Sequence, residues 1–238
     1  MIHVGVDGCP CGWYAVRRTP DTTTGRLYSS LEELWANNYD TDRILIDIPI
    51  GLPKSSRPGQ SRRSCDIEAR EQLGPRRSSV FFTPIRAVLD AESQAVASER
   101  SKDLTGRGVS IQAFYLFKKI REMDQLYGKY LEESETVRES HPELCFAKFN
   151  DDEPLTSKKS TKQGHDERLD ILSRLYDDAR NLYDEFRDAY LVREVGHDDI
   201  LDAMVLAAAA AHETATLPAE PEVDAEGRPM QMVYPVLG

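Results

Sequence analysis

The chain has 238 residues, with 41 acidic against 30 basic side chains and a net charge of −11. That charge excludes a protein that coats nucleic acid through bulk electrostatics, because counterion release needs many Lys and Arg on one face. The sequence has no long uncharged apolar run of the kind that crosses a bilayer, and its first residues lack the basic and apolar regions of a secretory signal. We therefore expect a single cytoplasmic domain, 1–238, with no membrane partner.

The elements are predicted in chain order from alternation, apolar periodicity and turn residues. The clearest is the run RILIDIPI from Arg43 to Ile50, which is typical of a strand buried on both faces and carries Asp47 in its middle. Proline cannot donate to a central ladder, so a later strand should stop near Ser140, before Pro142. We predict strands at 2–7, 13–18, 26–29, 43–50 and 136–146 (interrupted at 141–142), helices at 31–37, 85–98, 110–132, 165–187 and 197–211, an irregular tail at 218–227 and an edge strand at 230–235.

This order predicts an α/β fold with a mixed central sheet, in which the first three strands are antiparallel and helices cover both faces. A helical insertion at roughly 54–135 separates the Asp47 strand from the later one. The stretch at roughly 150–163 is polar, with no apolar period, so we expect a flexible loop that orders over a substrate.

Several acidic residues lie where two apolar strands and one helix would meet. Asp7 ends the first strand, and Asp47 lies in the most apolar one, where an unpaired charge costs several kcal/mol unless a cation or hydrogen bonds compensate it. Asp199 and Asp202 are three residues apart and share one helix face. Glu139, at the end of the later strand, is a further candidate. Such clustered carboxylates can hold two Mg²⁺ or Mn²⁺ ions for phosphodiester hydrolysis.

Each acidic residue also has a plainer interpretation. An acid at a strand end is often a turn former, and an acid in the first turn of a helix often satisfies the helix N-terminus. For Asp198 a capping role is as well supported as a catalytic one. For Asp7 and Asp47 we favour a shared ligand, because two apolar strands with one Asp at similar depth are hard to explain by capping.

Basic side chains cluster in an otherwise acidic chain between 54 and 86. Guanidinium groups bind phosphate oxygens bidentately, so these residues are candidates for substrate contacts, although they could equally pair with surface acids. Two weaker candidates lie near the polar loop. The candidate substrate-binding residues are Arg62, Arg70, Arg76, Arg77, Lys162 and Arg168, with Arg63 in the same basic stretch.

Five groups of motifs, in order and at compatible spacings, carry a family resemblance. They are HVGVDGCPCGW, ILIDIPIGLP, RSCDIEAR followed by GPRRSSVF, VRESHPELCF and HDDILDA. Together they resemble the domain-of-unknown-function family 429 of predicted RNase H-like nucleases, over nearly the whole chain. The first and last motifs are also similar to the resolvase branch of the RNase H-like superfamily.

The resemblance implies an RNase H-like fold and a metal-dependent nuclease. In the resolvase branch an Asp on the first strand, an acid on the fourth strand and a D-x-x-D-A helix bind the metals. Matched residue by residue, the metal ligands are Asp7, Asp47, Asp199 and Asp202. Glu139 has no counterpart there, but its family segment E-x-H-P-E, which also contains His141 and Glu143, keeps it among the catalytic candidates.

Three functions remain open at this point. The first is a Mg²⁺- or Mn²⁺-dependent nuclease acting on DNA or RNA, as a monomer or a homodimer. The second is a nucleotide-handling protein of the related actin-like fold, which normally duplicates its domain, whereas this chain has no internal repeat. The third is an adaptor that binds nucleic acid without catalysis, and this one would tolerate Asp7→Asn.

Overall fold

A mixed five-stranded sheet forms the centre of the computed structural model, which describes residues 1–53, 61–131 and 135–237. Its strand order is β3-β2-β1-β4-β5. β1 pairs with β2, and β2 with β3, in antiparallel orientation. β1 pairs with β4, and β4 with β5, in parallel orientation. The strands are β1 His3–Cys9, β2 Gly12–Arg18, β3 Thr23–Tyr28, β4 Arg43–Ile46 and β5 Val137–Glu139. The predicted α/β class with a mixed sheet is confirmed.

Helices cover both faces of this sheet. Alternate residues of a strand point to opposite faces, and here Val4, Val6 and Ile46 pack on one core while Leu45 packs on the other. The helices are α1 Leu31–Asn38, α2 Ser64–Gln72, α3 Gln94–Thr105, α4 Ile111–Tyr115, α5 Phe117–Leu126, α6 Pro142–Phe149, α7 Lys162–Leu172, α8 Ala179–Asp188 and α9 His197–Ala210. Among the described residues, none of the helices is both long and apolar enough to span a bilayer.

The end of the chain forms a separate two-stranded sheet of β6 Thr214–Val223 and β7 Pro229–Pro235. The prediction of an irregular tail at 218–227 is therefore wrong for most of its length, since β6 continues to Val223. β7 touches the central sheet through one bridge between Ser140 and Val233, and the Ser140 hydroxyl donates to the Val233 carbonyl at 2.7 Å.

Local signals explain where other predicted boundaries move. β4 stops at Ile46, so Asp47 follows the strand and does not lie within it, although its N–H still donates to the Val6 carbonyl. The helix predicted from residue 85 begins at Gln94, because Ser93 caps it by accepting from the Val96 N–H.

Three predicted elements divide. Residues 111–131 of the helix predicted at 110–132 form α4, α5 and a π-helical turn at Tyr127–Leu131. Residue 132 lies outside the described residues, and so do residues 54–60 of the basic stretch. Residues 165–187 form two helices, α7 and α8. The strand predicted over 136–146 ends at Glu139 as expected, and Pro142 then begins α6, where a proline at the first helical position loses no hydrogen bond.

The Ala-rich helix α9 lies directly on β1, as its composition predicts. Gly5 makes this approach possible, because a Cβ built there would lie 2.1 Å from the Ala207 backbone nitrogen and 2.2 Å from the Ala203 carbonyl oxygen. Eleven residues of α9 are buried, from Ile200 to Ala210. The contact between α9 and β1 therefore sets how closely the acids of the helix approach the strand ends.

We expect Gly5→Ala to lower the free energy of unfolding by about 3 kcal/mol or more, because the methyl group meets helix backbone that cannot rotate away. Chemical denaturation measures the change. Gly128→Ala is the matched control: it adds the same atom in a helical segment with its nearest neighbour at 3.4 Å, and should be neutral or stabilising by up to about 1 kcal/mol. Equal stability of Gly5→Ala and the wild type would contradict the close packing of α9 on β1.

Candidate metal centre and acidic cleft

Strand register places Asp7 beside Asp47. In the parallel pair β1–β4, Val6 is opposite Ile46. The residues that follow them, Asp7 and Asp47, are therefore neighbours at the ends of the two strands. Both point to the α9 face, because Val6 and Ile46 pack on the other side of the sheet. Asp7 is 7% exposed, and its Oδ1 accepts from the Gly8 N–H at 2.7 Å. The carboxyl ends of two adjacent parallel strands thus present two carboxylates side by side.

Helix α9 brings three more carboxylates to this edge of the sheet. Asp202 is buried on the helix face that meets the strands. Asp199 lies in the first turn, where its Oδ2 accepts from the Gly196 N–H at 2.8 Å. Asp198 is only partly buried. The structure therefore brings together Asp7, Asp47, Asp199 and Asp202, the four residues to which the sequence pattern pointed.

Helix α6 supplies a residue that the sequence analysis did not place among the catalytic candidates. Glu143, in the first turn of α6, is 5% exposed and faces a cleft of about 220 Å³. His141 caps the helix, with its Nδ1 accepting from the Glu143 N–H at 3.2 Å. The acidic cleft is lined by Asp47, Arg76, Ser78, Ser79, His141, Pro142, Glu143, Lys159 and Asp202.

Lys159 is the second residue that sequence reasoning missed. Its Nζ lies 2.9 Å from Asp202 Oδ2 and 3.0 Å from Asp198 Oδ2. Burial lowers the pKa of Lys159, but the charges of Asp202, Asp7 and Asp198 outweigh it and raise the pKa well above its ordinary value. The sequence signal for Lys159 is its place in the polar loop at 150–163, which the sequence analysis expects to order over a substrate.

The electrostatics of the cleft follow first from burial and then from the crowding of like charges. Burial, followed by the charges of Asp47, Asp202 and Asp199, raises the pKa of Asp7 well above its ordinary value. Burial likewise raises the pKa of Asp47 and of Asp199, and it raises that of Asp202 to about 6 despite the nearby Lys159 ammonium. These carboxylates are therefore stabilised by a proton or by a nearby cation.

The donor set of the cleft suits a hard cation. Two buried carboxylate oxygens, Asp202 Oδ1 and Glu143 Oε2, have no hydrogen-bond partner among the described residues. Carboxylate oxygens are the ligands that Mg²⁺ and Mn²⁺ prefer, and unpartnered ones are free to accept a metal. In the part of the chain that the structure describes, no group of three or more His, Cys, Asp or Glu side chains has the spacing of a metal site, although these acids lie near one another.

Glu139 does not belong to the cleft, which corrects its assignment as a catalytic candidate. It is opposite Ile46 in the β4–β5 register and so points to the face away from α9. Arg63 donates to both of its carboxylate oxygens, at 2.6 and 2.7 Å, and the Ile50 N–H donates at 2.9 Å. Arg63 is fully buried and also pairs with Asp66. Glu139 and Arg63 therefore have a structural role.

The predicted substrate-binding residues separate into four environments. Arg76 lines the acidic cleft, with its Nη2 at 3.5 Å from Glu143 Oε1. Arg168 is fully buried and donates to Glu143 and to the Gly164 carbonyl, so the expectation that it contacts substrate is corrected. Arg62 and Arg70 line a different cavity, and Arg77 and Lys162 are exposed.

The chain belongs to the family described as "Protein of unknown function (DUF429)", whose family model matches residues 5–223. The resemblance to domain-of-unknown-function family 429 is thereby confirmed. No curated protein and no solved structure matches the chain.

We expect Glu139→Gln to lower the free energy of unfolding by about 3 kcal/mol or more, because it leaves part of the charge of the buried Arg63 uncompensated. Glu135→Gln is the matched control, since this 88% exposed carboxylate pairs with Arg138 at the surface and its loss should change stability by about 0.5 kcal/mol or less. Equal losses in the two variants, measured by urea denaturation, would contradict the structural role of Glu139.

Proposed function

We propose that this member of the DUF429 family is a divalent-metal-dependent nuclease that hydrolyses phosphodiester bonds in DNA or RNA. The observation that carries the proposal is a cleft lined by carboxylates from the end of β4, α6 and α9 and by Arg76, with Asp7 of β1 beside Asp47. The mixed sheet, the helices on both faces and the helical stretch between β4 and β5 support the RNase H-like architecture that the motifs imply.

Asp7, Asp47, Glu143 and Asp202 are the residues that would hold Mg²⁺ or Mn²⁺, with Asp199 next to them. Their oxygens are hard donors, and two of the oxygens have no partner among the described residues. A divalent ion bound there would lower the pKa of a coordinated water and offset the charge on the scissile phosphate.

The other residues of the cleft orient and neutralise these groups. Arg168 donates to Glu143 Oε1, and Glu143 Oε2 has no hydrogen-bond partner among the described residues. His141 fixes the first turn of α6 through the Glu143 N–H. Arg76 is only partly buried, so its guanidinium can exchange the weak contact with Glu143 for a phosphate oxygen of the substrate.

One observation favours the adaptor alternative. The Lys159 ammonium already compensates Asp202 and Asp198 without any metal. A protein that binds nucleic acid without catalysis could use the acids in this way, as a structural charge cluster. Metal binding separates the two functions, because only the nuclease requires it.

We expect wild-type protein to bind Mn²⁺ and to cleave nucleic acid only with metal. Asp47→Asn should weaken Mn²⁺ binding at least about a hundredfold and reduce cleavage to the metal-free background, since it removes one charged ligand from the strand end. Isothermal titration measures the first effect, and digestion of single-stranded and branched DNA and RNA measures the second.

Asp90→Asn is the matched control for this experiment, because it makes the same change at an exposed carboxylate that pairs with Arg100 outside the cleft. It should bind metal and cleave as the wild type does. Absence of Mn²⁺ binding in the wild type would overturn the nuclease proposal and favour the adaptor.

We expect Lys159→Met to bind Mn²⁺ about tenfold more tightly than the wild type, because the ammonium competes with a metal ion for Asp202. The neighbouring Lys158→Met is the matched control, because this exposed lysine forms no ion pair with a carboxylate among the described residues, and it should leave the affinity unchanged. Weaker Mn²⁺ binding by folded Lys159→Met, again by titration calorimetry, would show that Lys159 does not compete with the metal.

A further inference from the structure

A second cavity, which we call the arginine cavity, lies between the segment at 80–85 and the α3–α4 connection. Its volume is about 300 Å³, and it is lined on one side by Arg62 and Arg70 and on the other by Arg107 and Val109. Volumes of this size lie at the lower end for small-molecule sites, which suits a ligand of about one nucleotide.

The arginine cavity is positively charged. None of the described residues that line it is acidic. Within the described ranges, none of Arg62, Arg70 and Arg107 forms an ion pair with a carboxylate, although acids outnumber bases in this chain. Partial burial, followed by repulsion from Arg107 and Arg70, lowers the pKa of Arg62. Three guanidinium groups that repel one another across a cavity are stabilised by an anion between them.

The same cavity has an apolar and aromatic wall. Val80, Phe82, Ile85 and Val109 line it, and the Arg62 guanidinium carbon lies 3.6 Å from the centre of the Phe82 ring. Arg70 lies 4.6 Å from the centre of the same ring. A guanidinium group that stacks on an aromatic ring keeps its N–H edge free for phosphate oxygens, and its outer face and the neighbouring apolar side chains can pack against a planar base.

This wall is held in place by buried contacts. The Thr83 N–H donates to Asp66 Oδ2 at 2.9 Å, and Asp66 is fully buried against Arg63. Arg70 donates to the carbonyls of Arg77 and Val80. The wall of the cavity is therefore supported by the buried Arg63–Asp66–Glu139 network, which favours a preorganised site.

The arginine cavity adjoins the acidic cleft. Ser78 lines both, and Arg76, two residues earlier in the same 3₁₀ segment at Gly74–Ser79, lines the cleft. A chain of phosphates that occupies the cleft can therefore continue past Ser78 into the cavity.

We propose that the arginine cavity binds one nucleotide of a single-stranded segment of the substrate, with its phosphate on Arg62 and Arg107 and its base against the apolar wall of the cavity. The identity of the ligand as part of the cleaved strand rests on the proposed nuclease function. A single strand is required because the base of a duplex is paired and stacked, and so is not free to reach the wall.

The test is fluorescence anisotropy of a labelled short single-stranded oligonucleotide, measured in a chelator so that no metal contributes. We expect Arg62→Gln and Arg107→Gln each to bind it roughly tenfold or more weakly than the wild type, since each removes a charge-assisted contact. Arg100→Gln is the matched control, because its guanidinium is on α3 but pairs with Asp90 outside the cavity, and it should bind as the wild type does. Arg70 is left unchanged because it supports the backbone of the wall.

A second probe tests the base contact. A strand of the same length with abasic sites should bind the wild type about tenfold more weakly, and its affinity should still fall in Arg62→Gln, because the phosphate contact persists. Equal binding of the two strands would overturn the base contact, and wild-type affinity in folded Arg62→Gln and Arg107→Gln would overturn the site.

The two proposals fail in different measurements. Arginine-dependent binding without any metal-dependent cleavage would overturn the nuclease and keep the nucleotide site. Metal-dependent cleavage by variants whose strand affinity is unchanged would overturn the nucleotide site and keep the nuclease.

Discussion

Negative charge gathered at one edge of a sheet must be compensated, and much of the structure around the acidic cleft follows from that need. Burial, followed by the charges of Asp47 and Asp202, raises the pKa of Asp7, and burial together with the charges of Glu143 and Asp47 raises the pKa of Asp202. The compensating cations come from distant parts of the chain. Lys159 extends from the polar loop, and Arg168 from α7 is buried to pair with Glu143. The cleft therefore exists only when the sheet, α6, α7 and α9 are assembled.

A second charge network supports the opposite side of the sheet. Fully buried Arg63 joins Glu139 of β5 to Asp66 of α2, and through Asp66 it holds the backbone of Thr83. A buried arginine with two carboxylate partners is costly to desolvate and still more costly to break, so the arrangement favours one relative placement of α2 and the sheet. The same network positions the wall of the arginine cavity, which connects the structural role of Glu139 to the proposed binding of a nucleotide.

The fold followed from the sequence wherever local signals were strong. Alternation located the β1–β2 hairpin, the apolar run located β4, and the Ala-rich composition of α9 predicted its flat contact with the sheet. The start of α3 was predicted wrongly because the Ser93 cap decides it, whereas Pro142 correctly predicted the end of β5. The prediction of an irregular tail at 218–227 was also wrong. β6 is stabilised by pairing with β7, and its own acidic, proline-containing sequence gives little sign of a strand.

The sequence by itself determined which strands and which helix carry acids, because one Asp in an apolar run stands out whatever its partners are. Only the tertiary structure decided which acids share a face. Strand register turns Glu139 away from the cleft, while the first turn of α6 directs Glu143 into it, four residues later. Likewise, Arg168 and Lys159 could not be told from surface cations in sequence, because their carboxylate partners are 25 and 43 residues away along the chain. Register and long-range charge pairing are properties of the assembled sheet and helices, and no local pattern encodes them.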